Sequence, residues 1–191
     1  MELPTIDVIL SYSLNKLELV AFIIAFFLAL FPKKSRRLSI AISAGVMSVG
    51  LATGDILHAN VLASLETDQQ IYIWYLVWAL FSLAQAFLVL WGHWFFGVMF
   101  SDQVKLVFMT MAANTLLNTL MFIDRNITAL NFKERPNEFS DNSWLLWDVY
   151  SIGINANLLF LAFVLFSRGE LKGKYVWMFL LYCCCFAVLS L

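Results

Sequence analysis

The sequence predicts an all-α fold, a polytopic transmembrane helix bundle of about six spans forming one integral membrane domain over residues 1–191. Three observations predict it. Of 191 residues, 62% are hydrophobic, and mean hydropathy is +0.81. Only 13% are charged, about half the share of an ordinary soluble domain. The apolar residues fall in continuous runs rather than in the alternation of a β-barrel strand, and a continuous run in lipid must be helical because each backbone amide needs a partner within its own segment. Six crossings of roughly 20 residues take up most of the apolar content. The net charge of −1 supplies no overall basic field for phosphates, which argues against a nucleic-acid partner.

The first span, residues 9–31, ends at Phe31 and carries a polar stripe of Asp7, Ser11, Asn15 and Glu18. Its apolar run, Val20 to Phe31, lacks the basic flank and small-residue cleavage site of a secretory signal. The second, residues 38–58, is rich in small residues (Ala41, Ala44, Gly45, Ser48, Gly50, Ala52), which predicts close packing at the bundle centre or at a subunit contact. The third, residues 71–99, is long enough to tilt. The fourth, residues 106–124, carries Asn114 and Asn118. The fifth, residues 144–166, carries Asp148, Ser151, Asn155 and Asn157. The sixth, residues 175–191, is short and contains Cys183, Cys184 and Cys185, which read as small packing residues.

The connections give a direction. The first, third and fifth hold Lys33, Lys34, Arg36, Arg37, Lys105, Arg168, Lys172 and Lys174, eight of the 12 basic residues. The opposite side holds Glu66, Asp68, Lys133, Glu134, Arg135, Glu138 and Asp141 and is mostly acidic. The positive-inside rule makes the basic side cytoplasmic and puts both termini outside. Compact size and short loops suggest a bacterial inner membrane. The seven tryptophans, Trp74, Trp78, Trp91, Trp94, Trp144, Trp147 and Trp177, lie mostly near span ends, as interfacial anchors do. A cation–π ligand box is the alternative for them. A shift of 69 residues superposes Asp55 on Asp124, Trp78 on Trp147 and Ser82 on Ser151, the pattern a duplicated hairpin would leave.

Function must come from the residues that break the apolar pattern, since polar groups inside a membrane face the bundle interior or a water-filled cavity. At a rise of about 1.5 Å per residue, Glu18, Asp55, His58, Asp124, Arg125 and Asp148 fall at one level near the outer ends of their spans. Gln85, Asn114, Asn118, Asn155 and Asn157 fall deeper. Asn114 and Asn118 share a helix face that Arg125 continues, and Asp148, Ser151 and Asn155 share another. The expected site is a crevice lined by Glu18, Asp55, His58, Asn114, Asn118, Asp124, Arg125, Asp148 and Asn155. Its expected ligands are protons, cations or a small polar molecule, handled by a transporter, channel or membrane-embedded binding subunit. The alternative is an accessory or immunity-type protein that binds another membrane protein. Either way the surroundings are the lipid bilayer, and a homo-oligomer is compatible with both. No cofactor, metal or catalytic residue is expected. His58 and His93 lie near opposite ends, which disfavours a bis-His haem. Nucleophile motifs, Gly-rich phosphate loops and CxxC pairs are absent, so no enzyme is expected.

Overall fold

The computed structural model describes residues 6–31, 35–65, 67–128, 145–166 and 174–189. All regular structure among them is helical: α1 (Ile6–Leu30), α2 (Ser35–Asn60), a short 3-10 turn (Leu62–Ser64), α3 (Thr67–Phe96), α4 (Asp102–Ile123) running into a π turn (Asp124–Thr128), α5 (Leu145–Phe166) and α6 (Tyr175–Leu189). Four helical stretches among the described residues are long and apolar enough to cross a bilayer: Arg37–Asn60, Ile73–Phe96, Asp102–Thr128 and Val149–Phe166. The chain is an integral membrane protein. α6 has 15 residues, about 22 Å of helix, which is short of a hydrocarbon core of about 30 Å. The expectation of six spans with both termini outside therefore rests on the sequence.

Helices α1 to α5 pack in a ring, each on the next and α5 back on α1. α2 also reaches α4 and α5 across the ring, and α6 lies against α4. The small residues of α2 explain its central place, because a helix with short side chains lets its neighbours approach closely. One apolar core fills the end of the bundle nearest Arg37 and Lys105, here called the basic end. Phe22, Ala25 and Ala29 of α1 pack there on Ala41, Ala44 and Met47 of α2, Val107 and Met111 of α4, and Leu161 and Leu165 of α5. At the opposite, acidic end the buried cluster is aromatic, with Tyr75, Tyr150 and Met121 packed against Trp74, Phe122 and Trp147.

The α3–α4 connection is held at the basic end by a set of mutually satisfied polar groups. Gly97 has φ +62°, a conformation nearly free for glycine and costly for other residues. It closes α3 as a Schellman motif, with Val98 N–H donating to His93 O at 3.0 Å and Gly97 N–H to Trp94 O at 3.2 Å. The ring of His93, itself buried, bonds Val89 O through Nδ1 at 2.7 Å and Ser39 Oγ through Nε2 at 2.8 Å. A carbonyl only accepts, so Nδ1 carries the proton and Nε2 of the neutral ring accepts from the Ser39 hydroxyl. Ser39 Oγ in turn accepts Ser101 N–H at 3.0 Å. Ser101 caps α4, its Oγ accepting from Val104 N–H at 3.4 Å. Three helices are thus tied at one point.

Removing part of this knot leaves a buried polar group without a partner. His93→Leu is expected to cost about 1–3 kcal/mol, and Gly97→Ala about 1–2 kcal/mol for forcing a Cβ into the left-handed region. The midpoint of SDS-induced unfolding of the purified protein measures both, and an unchanged midpoint for His93→Leu contradicts the reading.

Candidate functional site

A cavity of about 390 Å³ opens among α2, α3, α4 and α5 toward the acidic end. Each helix contributes one stripe at helical spacing. α2 gives Gly50, Leu51, Gly54, Asp55 and His58, and α3 gives Trp74, Trp78, Phe81, Ser82 and Gln85. α4 gives Asn114 and Asn118, and α5 gives Tyr150, Ile154, Asn155 and Leu158. Of the residues expected to form a crevice, Asp55, His58, Asn114, Asn118 and Asn155 are therefore brought together. The volume is in the range of small-molecule sites.

Three other expected residues lie elsewhere. Glu18 is fully buried on α1, and neither carboxyl oxygen has a hydrogen-bond partner among the described residues. It is not part of the cavity lining, because α1 closes the ring on the far side of α2. Asp124 and Arg125 are buried in the π turn that ends α4. They too are outside the lining. Arg125, expected to continue the Asn114–Asn118 stripe, is fully buried in this turn. The side chain of Asp148 lies outside the described residues, as do those of Asp7, Ser11 and Asn15 and the acidic connection around 133–141. The proposed 69-residue correspondence pairs unlike environments, since Asp55 and Trp78 line the cavity while Asp124 and Trp147 do not.

The charge at the cavity mouth is paired. Lys16 Nζ of α1 lies 2.8 Å from Asp55 Oδ2, with both side chains nearly half exposed. This partner was not anticipated, although a lysine near an otherwise acidic helix level is the signal that points to it. His58 sits beside the pair, its ring edge-on to Trp74 at 5.3 Å. Trp74 and Trp78 follow at 5.9 Å, and Trp78 and Phe81 at 5.5 Å, both nearly perpendicular. These two tryptophans, expected in the interfacial belt, form a wall of the cavity. The spacing of 74, 78, 81, 82 and 85 places all five residues on one face of α3, so the wall is legible once the helix is drawn. Trp91, Trp94 and Trp177 remain well exposed on the outer surface.

Deeper in, the floor is built of amides. Tyr182 of α6 donates to Asn157 Oδ1 at 2.6 Å, Asn157 Nδ2 donates to Asn114 Oδ1 at 2.5 Å, and Asn118 Nδ2 donates to Asn114 O at 2.9 Å. Tyr150 donates to Asn118 Oδ1 at 3.3 Å. This chain fixes the two asparagines of α4 and leaves the Asn114 amide nitrogen unused among the described residues. Asn157, expected in the same polar layer, faces α4 and α6 instead of the cavity. Gln85 and Ser82 line the cavity at 7% and 9% exposure. Neither makes a side-chain hydrogen bond within the described residues. Gln85 lies across Gly50, where a Cβ would collide with its Nε2. Only glycine lets this amide occupy the α2–α3 contact.

Among the described residues no three His, Cys, Asp or Glu side chains gather closely enough to hold a metal ion. What the arrangement can do is bind by hydrogen bonds to fixed amides against aromatic faces. No family model, curated protein or solved structure matches the chain.

The two faces of α5 should differ in access to water. With Cys183, Cys184 and Cys185 replaced by Ser, Asn155→Cys is expected to react with a membrane-impermeant maleimide and Asn157→Cys to resist it. Equal labelling of the two would mean that the cavity is not open as drawn. The exposed Lys16–Asp55 pair is expected to contribute little to stability, within about 1 kcal/mol for Lys16→Met, by the same SDS titration.

Proposed function

We propose that the chain is a membrane-embedded binding protein, serving as a transporter, channel or binding subunit, that takes a small polar ligand from the outer side of the membrane. The observation that supports it most is the set of buried polar groups at the cavity wall. Gln85, Ser82 and the Asn114 amide nitrogen have no protein partner among the described residues. These groups line the open cavity, where water or a ligand can complete their hydrogen bonds. The pairing of Asp55 with Lys16 narrows the ligand class. A neutralised carboxylate is a poor cation site, so a neutral, hydrogen-bonding molecule suits the cavity better than a metal ion. The aromatic wall offers flat apolar faces to the rest of such a molecule.

In this reading the basic end is cytoplasmic and the cavity mouth faces the outside, in keeping with the charges of the connections. The membrane is a bacterial inner membrane, and the protein performs no covalent chemistry.

A thermal-shift screen of the purified protein against small neutral amides and polyols, with inorganic ions as the comparison set, tests the proposal. A ligand at about ten times its Kd raises Tm by several degrees for a chain of this size. The expected result is such a shift from a neutral member, abolished in both Asn114→Leu and Asn155→Leu while both variants fold. A shift that survives both changes, or none across the panel, removes the cavity as a binding site and favours the accessory, partner-binding role.

A further inference from the structure

A second depression adjoins the first. It is an apolar groove of about 550 Å³ along α2 and α3, bordered by Phe26 and Leu30 of α1. It runs from Gly50 toward Leu38, about 18 Å along the helix axis, and so covers roughly half the thickness of a bilayer core. Val49, Leu88 and Trp91 on its walls are 65%, 45% and 49% exposed, so the groove opens to the lipid side of the bundle. Gly50, Phe81 and Gln85 line both the groove and the polar cavity. The two spaces thus share one thin wall near mid-membrane. The polar element in that wall is Gln85, an amide that is 7% exposed and makes no side-chain hydrogen bond among the described residues.

A hydrogen-bonding group at the junction of a polar cavity and a lipid-facing groove recognises a molecule that is polar at one end and apolar at the other. We infer that the ligand is a single-tailed amphiphile with a neutral hydrogen-bonding headgroup, its head against Gln85 and the cavity amides and its tail in the α2–α3 groove. Neutrality follows from the lining. Neither Lys nor Arg is among the residues of the cavity, so a phosphate headgroup finds no counter-charge there. The tail follows from the surroundings of the groove, since a lipid-facing cleft in a membrane is filled by hydrocarbon. The inference rests on the cavity being a binding site entered from the outer side and adds the class of ligand, whose tail lies between α2 and α3 toward the basic end.

The test compares two photoreactive probes in phosphatidylcholine nanodiscs holding the full chain. One is a monoacylglycerol with a diazirine in its tail. The other is an alkane of the same length with the same diazirine. The glyceride is expected to label the Val49 and Leu88 peptides about tenfold more than the alkane, and Gln85→Leu is expected to reduce it to the alkane level. Val49→Trp, at an exposed groove position that leaves the cavity intact, is expected to reduce groove labelling in the same way. Equal labelling by both probes means that the groove is merely wetted by lipid and overturns the inference, as does cross-linking of these peptides to a second copy of the chain. Protection of Ile154→Cys, an apolar position of the cavity lining, from maleimide by glycerol, which has the head and no tail, separates the two failures. Glycerol protection with equal probe labelling overturns the tail site alone. Absence of both glycerol protection and preferential labelling overturns the cavity as well.

Discussion

A polar group inside a hydrocarbon layer must find its partner in the protein, in trapped water or in a ligand. That constraint organises both ends of this bundle, with opposite results. At the basic end, Ser39, His93 and Ser101 satisfy one another and the backbone around a tight α3–α4 connection. They need no ligand there, and the apolar core of α1, α2, α4 and α5 fills the same end of the bundle. Toward the acidic end, the asparagines of α4 are partly satisfied through Asn157, Tyr182 and Tyr150. Gln85 and Ser82 are not, and beside them the helices stand apart around a cavity. The contrast between a closed polar knot and an open polar cavity distinguishes structure from candidate function in this molecule.

α2 makes the contrast possible. Its small residues bring α1 and α3 close, and the lack of a side chain at Gly50 lets Gln85 lie over the backbone of α2. With a larger residue at that point the amide would have to turn elsewhere, and the wall between the cavity and the lipid-facing groove would change. Close packing and the placement of a polar group are here one feature, because the space that glycine leaves is the space the amide occupies. The Lys16–Asp55 pair completes the arrangement by neutralising the charge at the mouth, so the selectivity of the cavity falls to amides and aromatic rings.

Much of this was legible in the sequence, residue by residue. Asn114 and Asn118 are four apart, and a shared face follows from the helical period alone. Asp55 and His58 were placed by depth at the outer level and Asn155 below them, and the structure gathers all three around one space. Depth alone misassigned Arg125 and Asp124, which are buried in the π turn that ends α4 and lie outside the cavity lining; that turn has no signature in the apolar pattern. It also misassigned Glu18, which has the right level but sits on a helix that faces elsewhere. Trp74 and Trp78 show the reverse case. Their nearness to the span end suggested an interfacial belt, while their spacing with Phe81, Ser82 and Gln85 pointed inward.

The sequence by itself determined the solvent of this protein and the form of its backbone. Long apolar runs belong in lipid, and in lipid a single segment must be helical to satisfy its own amides. It also determined how deep each polar residue lies, because depth is position along a helix multiplied by a constant rise. Only the tertiary structure decided which of those residues meet. That depends on how each helix is rotated about its axis and on which neighbours it admits, and rotation is set by contacts between segments far apart in the chain, such as Gly50 with Gln85, Asp55 with Lys16 and Asn114 with Asn157.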